Sequence, residues 1–349
     1  MPQSYANANL SRGAADAGLV RDLQRDLRAL GYLKQGIDGA FQDGTDFAVR
    51  RLQYDLVHND GSSTAGDGNA PVRISDYNQG RVANETGGVD PDLAACIEAL
   101  LTDPNMPKLP SATDAATANR AARTAIAAAP STQAPPPFLL AIFQQESGGV
   151  HYCEPTAHDA DCFVVVGLDY RQETASHVTS RGYGMGQYTI FHHPPQPEEV
   201  KDFILDPVRN VQKAFGELRD KFDHFVLGGT PATTADDRVA EHPVLSALRL
   251  CRYKPGDARY LTDCRACAMQ TSKRDLTAAT PVYAGAAQTY GPAPHYQQTT
   301  YHGVPNRADF LCDWPYAVRR YNGSGPDSYN YQAHVLLNLL AAPPVTKAG

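Results

Sequence analysis

A mainly α-helical chain of two domains is what the sequence predicts, on three observations. Val20, Leu23, Leu27 and Leu30 form a helical stripe that stops at Gly31. Leu139, Ile142, Phe143 and Glu146 fall at i, i+3, i+4 and i+7, just ahead of Ser147-Gly148-Gly149. Between these helices lies a proline-rich stretch, 104–112, that reads as a linker. The predicted boundaries are a tail over 1–15, a small helical domain over 16–103, the linker, and a larger helical domain over 113–349 with an insertion around 227–310.

The bulk properties exclude several functions. The chain has 349 residues and a net charge of −7, the wrong sign for a nucleic-acid surface. No run of about twenty apolar residues exists, so no membrane span is expected. Met1 to Leu10 lacks a basic segment followed by an apolar one, so no standard export signal is visible. No phosphate loop, dinucleotide fingerprint or serine elbow occurs, and no cofactor is expected.

In the first domain, Gly36-Ile-Asp38-Gly39-Ala-Phe41 forms a tight turn after the first helix. Thr45 is positioned to cap a second helix in which Phe47, Ala48, Leu52 and Leu56 share a face. A polar loop follows, and Asp90-Pro91 opens a third helix running to Leu101. The pattern Val20-x-x-Leu23-Gln24-x-x-Leu27, Leu30-Gly31-Tyr32, Asp38-Gly39-x-Phe41-x-x-x-Thr45, Ala48-Val49-x-x-x-Gln53 resembles the small three-helix peptidoglycan-binding domain. The likeness is close over 20–56, loose over 89–101, and departs in the long segment 57–88. It implies peptidoglycan as partner, with Asp38, Gly39, Phe41 and Thr45 on the exposed rim of the site. The alternative is a three-helix spacer whose pocket is spent.

In the second domain an alanine-dense helix, Ala115 to Ala129, is broken from the Glu146 helix by Pro135-Pro136-Pro137. A Glu on the apolar face of a helix end finds a partner or stays protonated, and a neutral carboxylic acid lining a cleft is what a general acid requires. The bland alternative is a Glu turned out to solvent. Four further signals follow in order: Glu146-Ser147, Gly184-Met185-Gly186-Gln187, Asp206-Pro207-x-x-Asn210 and Tyr321-Asn322-Gly323. Together they resemble the soluble lytic transglycosylase and goose-type lysozyme superfamily.

That resemblance implies a lysozyme-like catalytic domain that cuts the MurNAc–GlcNAc β-1,4 bond of peptidoglycan. Glu146 would protonate the leaving oxygen, the substrate N-acetyl group would assist at C1, and Glu146 would then take the C6 hydroxyl proton as a 1,6-anhydro ring closes. Ser147 would orient the N-acetyl group or the Glu, and Gly184, Met185, Gly186 and Gln187 would line the floor. Tyr321 would bond Glu146, and Asn322 would bind sugar. Each also has a plain structural reading: Ser147 as a backbone cap, Gln187 as a satisfied amide, Tyr321 as core. A hydrolytic muramidase would need a second carboxylate, for which Asp159, Asp161, Asp169 and Glu173 are the candidates. A non-catalytic wall-binding protein on the same fold is the reading from another class.

Cys153 and Cys162 bracket a short loop and read as a disulfide. Cys251, Cys264, Cys267 and Cys312 read as two more disulfides, with a four-cysteine zinc site as the alternative. Cys96 sits in a helical pattern and reads as a buried free thiol. His151 and His192-His193 lack metal-binding spacing, and no metal is predicted. Phe163 to Val166 reads as one strand of a small flap, and the apolar run Tyr331 to Leu340 as a closing helix. Disulfides without an export signal suggest a secretion-system effector or a phage endolysin that acts on the wall in the periplasm or outside the cell. An effector in turn predicts a cognate immunity or inhibitor protein.

Overall fold

The computed structural model describes residues 3–34, 36–128, 134–157, 159–171, 174–225, 250–265, 311–322 and 327–341. Glu173, Cys267 and most of 227–310 lie outside them. The fold is mainly α, as predicted. It divides into two units: residues 1–121 with 150–210, and residues 122–149 with 211–349.

The first unit begins with three helices, α1 (Ala17–Ala29), α2 (Asp43–His58) and α3 (Pro91–Thr102). Asp16 caps α1 by accepting from the Gly18 and Leu19 amides at 2.9 and 3.1 Å. Asp90 caps α3 through the Leu93 amide at 2.8 Å, with Pro91 in the first turn. The predicted stripe of Val20, Leu23, Leu27 and Leu30 is buried with Tyr32, Phe41, Leu52, Leu56, Leu93 and Ile97 in one core. Two details of α2 differ from expectation. Thr45 lies inside the helix rather than capping it, because the chain turns helical at Asp43. Phe47 is 39% exposed, while its neighbours Ala48 and Val49 take the core positions.

The same unit carries a small sheet that the sequence reading largely missed. Strands β3 (Val166–Arg171), β4 (Thr174–Tyr183) and β5 (Tyr188–Ile190) form an antiparallel meander, with Val166 opposite Tyr183 and Arg181 opposite Ile190. The expected strand at Phe163 to Val166 is split. Cys162–Phe163 (β2) pairs with Ser111–Ala112 (β1), at the end of the proline-rich stretch, and β3 begins only at Val166.

The long segment 57–88 lies along this sheet. Thr64 bonds Phe191 and Thr179 carbonyls, Asp67 accepts from the Phe191 amide at 3.0 Å, and Glu85 accepts from Ser176. Below it, a buried ion pair joins Arg181 of β4 to Asp55 of α2 at 3.1 Å, and the Tyr32 hydroxyl donates to the same carboxylate at 2.8 Å. The departure from the three-helix pattern in 57–88 therefore has a packing cause.

In the second unit, α5 (Pro136–Ser147), α8 (Trp314–Tyr321) and α9 (Asp327–Ala341) pack together. Phe138, Leu139, Ile142, Phe143, Trp314, Val318, Val335, Leu336 and Leu339 are buried there. The C-terminal apolar run thus forms the closing helix expected of it. Two helices contribute to both units. They are α4 (Ala115–Ala128) and α7 (Pro207–Phe225). A short turn of helix, α6 (Pro197–Glu199), precedes a π-type turn, Val200–Ile204.

Candidate functional site

Glu146 stands in the last turn of α5. Gly148 ends that helix in the left-handed region, φ +65°, and the Gly149 amide returns to the Phe143 carbonyl at 3.0 Å. Leu139, Ile142 and Phe143 are buried on the same face, and Glu146 is half-buried beyond them. Its carboxylate accepts a 2.6 Å hydrogen bond from the hydroxyl of Tyr331, on α9. Tyr331 is 7% exposed; burial, and then the Glu146 charge, holds its phenol well above the ordinary range. It therefore stays protonated and remains a donor. Tyr321, at the end of α8, is pushed up in the same way by burial and then by the charges of Glu217 and Glu146. The Glu146 charge thus acts on both tyrosines, and the Glu217 charge on Tyr321.

Ser147 and Asn322 have plainer surroundings. The Ser147 hydroxyl donates to the Phe143 carbonyl at 3.0 Å, a backbone cap of the kind Ser commonly makes. Asn322 is exposed and ends α8 through its own amide, 3.3 Å from the Arg319 carbonyl.

Gly184 to Gln187 belong to the first unit and are tightly specified. Gly184 has φ +71°, and a Cβ there would sit 2.3 Å from the His151 ring. His151 is fully buried, accepts from the Met185 amide at 3.2 Å through Nδ1, and contacts the Ile204 carbonyl at 2.8 Å through Nε2. These partners assign its proton to Nε2, and burial lowers its pKa from 6.5 to about 4, so the ring is neutral. Asn210 holds the turn from the other side. It accepts from the Gly186 amide at 2.6 Å and donates to the Tyr183 and Phe203 carbonyls at 2.8 Å each. The Asp206-Pro207-x-x-Asn210 signal now has a mechanism: Asp206 caps α7 through the Val208 and Arg209 amides, Pro207 starts it, and Asn210 braces the turn. Gln187 takes φ +48°, donates to the Gly184 carbonyl at 2.7 Å, and lays its amide over Gly167 and Gly182.

Asp159, Asp161 and Asp169 also lie in the first unit, each with a structural partner. Asp159 accepts from the Ile37 amide at 3.3 Å, Asp161 pairs with Arg25, and Asp169 accepts from Ser180 at 2.7 Å. Glu173 lies outside the described residues.

The proposed rim of the three-helix module needs correcting. Phe41 and Thr45 are 1% and 2% exposed, Gly39 is buried, and of the four only Asp38 reaches solvent. The cause is Gln24, itself buried, whose amide nitrogen donates to Asp38 and Thr45 at 2.8 and 2.9 Å. Its oxygen accepts from the Asp38 and Gly39 amides. The motif residues build the turn from inside.

The cysteine expectation is corrected too. No disulfide forms among the described residues. The Cys153 sulfur accepts from Arg28 at 3.1 Å, and the Cys162 thiol faces the Ala160 carbonyl at 3.7 Å. Cys96 is a buried free thiol. No group of three His, Cys, Asp or Glu residues among the described ones is placed to hold a metal ion.

Sequence reading missed Tyr331, Glu217 and His151 as members of these clusters. In the sequence Tyr331 is only the start of an apolar helix, and Glu217 carries no signal beyond its place on a helix. No described helix is long and apolar enough to cross a membrane. No curated protein and no solved structure matches the chain. Residues 16–56, which hold α1, the Gln24-braced turn and most of α2, match the family model titled "Putative peptidoglycan binding domain".

Proposed function

We propose that the chain is a cell-wall enzyme that cleaves the MurNAc–GlcNAc β-1,4 bond of peptidoglycan as a lytic transglycosylase, with Glu146 as acid and then base. The match over 16–56 supports the wall as its site of action. The observation that carries the catalytic part is the 2.6 Å bond from buried Tyr331 to Glu146, with Tyr321 beside it. A phenol that cannot ionise holds the carboxyl in one orientation, as an acid that must meet a glycosidic oxygen requires. Glu146 donates its proton there, the bond to C1 breaks, and the substrate N-acetyl group shields the cationic centre. The carboxylate then removes the C6 hydroxyl proton as that oxygen closes on C1, which restores the acid. Asn322 is exposed for a sugar contact.

One observation favours a hydrolytic muramidase as second reading. The Glu217 charge acts on Tyr321 alongside that of Glu146, which supplies a second carboxylate in the same unit. A wall-binding protein without activity is separated from both by Glu146→Gln. That variant is expected to keep binding purified sacculi while lysis falls by at least about a hundredfold, the scale of lost general-acid catalysis. Undiminished lysis would remove Glu146 from the mechanism. The route to the wall belongs to the same reading: an exported effector, which implies a cognate immunity or inhibitor protein, or a phage endolysin.

A further inference from the structure

The first unit carries an aromatic platform that neither the catalytic reading nor the motif of the three-helix module uses. Phe47, Arg51, Tyr54 and His58 stand at i, i+4, i+7 and i+11 of α2, one stripe along the helix. That face meets β3 and β4. The Arg51 guanidinium lies between two rings, 5.8 Å from the centre of Phe47 and 5.3 Å from that of Tyr170. Further along, Tyr54 stacks on His177 of β4, with centres 4.9 Å apart and planes within 18°, and His58 tilts against the same tyrosine at 4.5 Å.

Two of these rings are exposed where a core role would bury them: Phe47 at 39% and Tyr170 at 49%. Tyr170 sits where the β3–β4 register shifts on both sides of it, and such a bulge re-aims a side chain. The stripe from 47 to 58 is about 16 Å long at 1.5 Å per residue, enough for more than one sugar ring. Arg51 itself is buried and donates to the Ala175 carbonyl at 3.4 Å, so it props the two exposed rings from beneath. Exposed rings with an exposed His58 further along suit a ligand with apolar ring faces and polar edges. Nucleic-acid bases offer similar faces, but a chain of net charge −7 opposes their phosphates. The helix that carries the stripe starts within the segment matched to the peptidoglycan-binding family.

We propose that Phe47 and Tyr170, propped by Arg51 and continued by Tyr54, His177 and His58, form a glycan-stacking site for the N-acetylhexosamine strand of peptidoglycan. The site is completed by the β3–β4 hairpin and so does not belong to the three-helix module alone. It rests on the reading of the wall as ligand, and it is independent of cleavage at Glu146.

The test uses the full chain carrying Glu146→Gln, so that the polymer stays intact, and measures binding isotherms on purified sacculi. Phe47→Ala with Tyr170→Ala is expected to weaken binding by roughly tenfold, the scale of two lost ring contacts. Phe47→Leu with Tyr170→Leu keeps the apolar bulk and is expected to lose binding as well. Phe47→Tyr with Tyr170→Phe keeps both rings and is expected to retain it. Thermal unfolding confirms that each variant is folded. Undiminished binding by folded double-Ala and double-Leu variants would overturn the platform and leave the wall reading standing. A Glu146→Gln parent that does not bind sacculi would overturn the wall reading, and the platform with it.

Discussion

At the scale of single residues, Glu146 is defined by the group that holds it. Tyr331→Phe removes one hydroxyl from a buried site and keeps the ring. Its expected cost in stability is about 1–3 kcal/mol, with lytic rate falling tenfold or more while sacculus binding is unchanged. Turnover and binding assays on one preparation check this. His151 makes a pH prediction. Unfolded, its imidazole binds a proton below about 6.5; folded, it resists until about 4. The unfolded state therefore holds more protons in that window. Stability is fully present above pH 6.5 and falls by about 3 kcal/mol as pH drops towards 4. Asp26 acts with the opposite sign, because burial raises it to about 6. The readable quantity is therefore the stability of wild type minus that of His151→Gln, which is expected to fall by about 3 kcal/mol as pH drops from 6.5 towards 4. Cys153 and Cys162 are expected as free thiols in a non-reduced peptide digest, since both sulfurs already have hydrogen-bond partners. Glu146 was legible from helical spacing and its Gly stop. Its partner Tyr331 was not, because 185 residues separate them and the familiar motif pointed to Tyr321.

At the scale of elements, the helices were legible because their apolar residues recur on one face with caps at the ends, as at Asp16 and Asp90. The β3–β5 sheet was not. Its strands mix Gly167, Gly182, Ser180 and Arg181 into positions where a buried strand would show Val or Ile. Arg181 could not be recognised as interior without knowing that Asp55 of α2 meets it. That buried pair yields an element-level expectation. Asp55→Ala leaves Arg181 buried without its counter-charge and should cost about 3–5 kcal/mol, whereas Asp55→Leu with Arg181→Met should cost much less. Chemical denaturation of both variants distinguishes a stabilising pair from one that only requires both partners. The pattern puts Phe47 on one face with Ala48, Leu52 and Leu56; a one-residue difference on a helix is about 100° of rotation, enough to move a ring from core to surface.

At the scale of the whole molecule, contacts group 150–210 with the N-terminal helices, although Glu146 stands only four residues before that segment. The reason is visible in the first unit: the segment 57–88 is bonded along the sheet, and Asp55 meets Arg181 beneath it. No local pattern in the sequence announces such a pairing, because both sides are polar stretches that read as surface loops. The central claim, single-carboxylate cleavage of the glycan strand by Glu146, is tested most directly by mass spectrometry of the soluble products from purified peptidoglycan, without borohydride reduction. Muropeptides ending in 1,6-anhydro-MurNAc are the expected result. Products heavier by one water, with a reducing MurNAc end, would contradict it and direct attention to Glu217 as the second carboxylate.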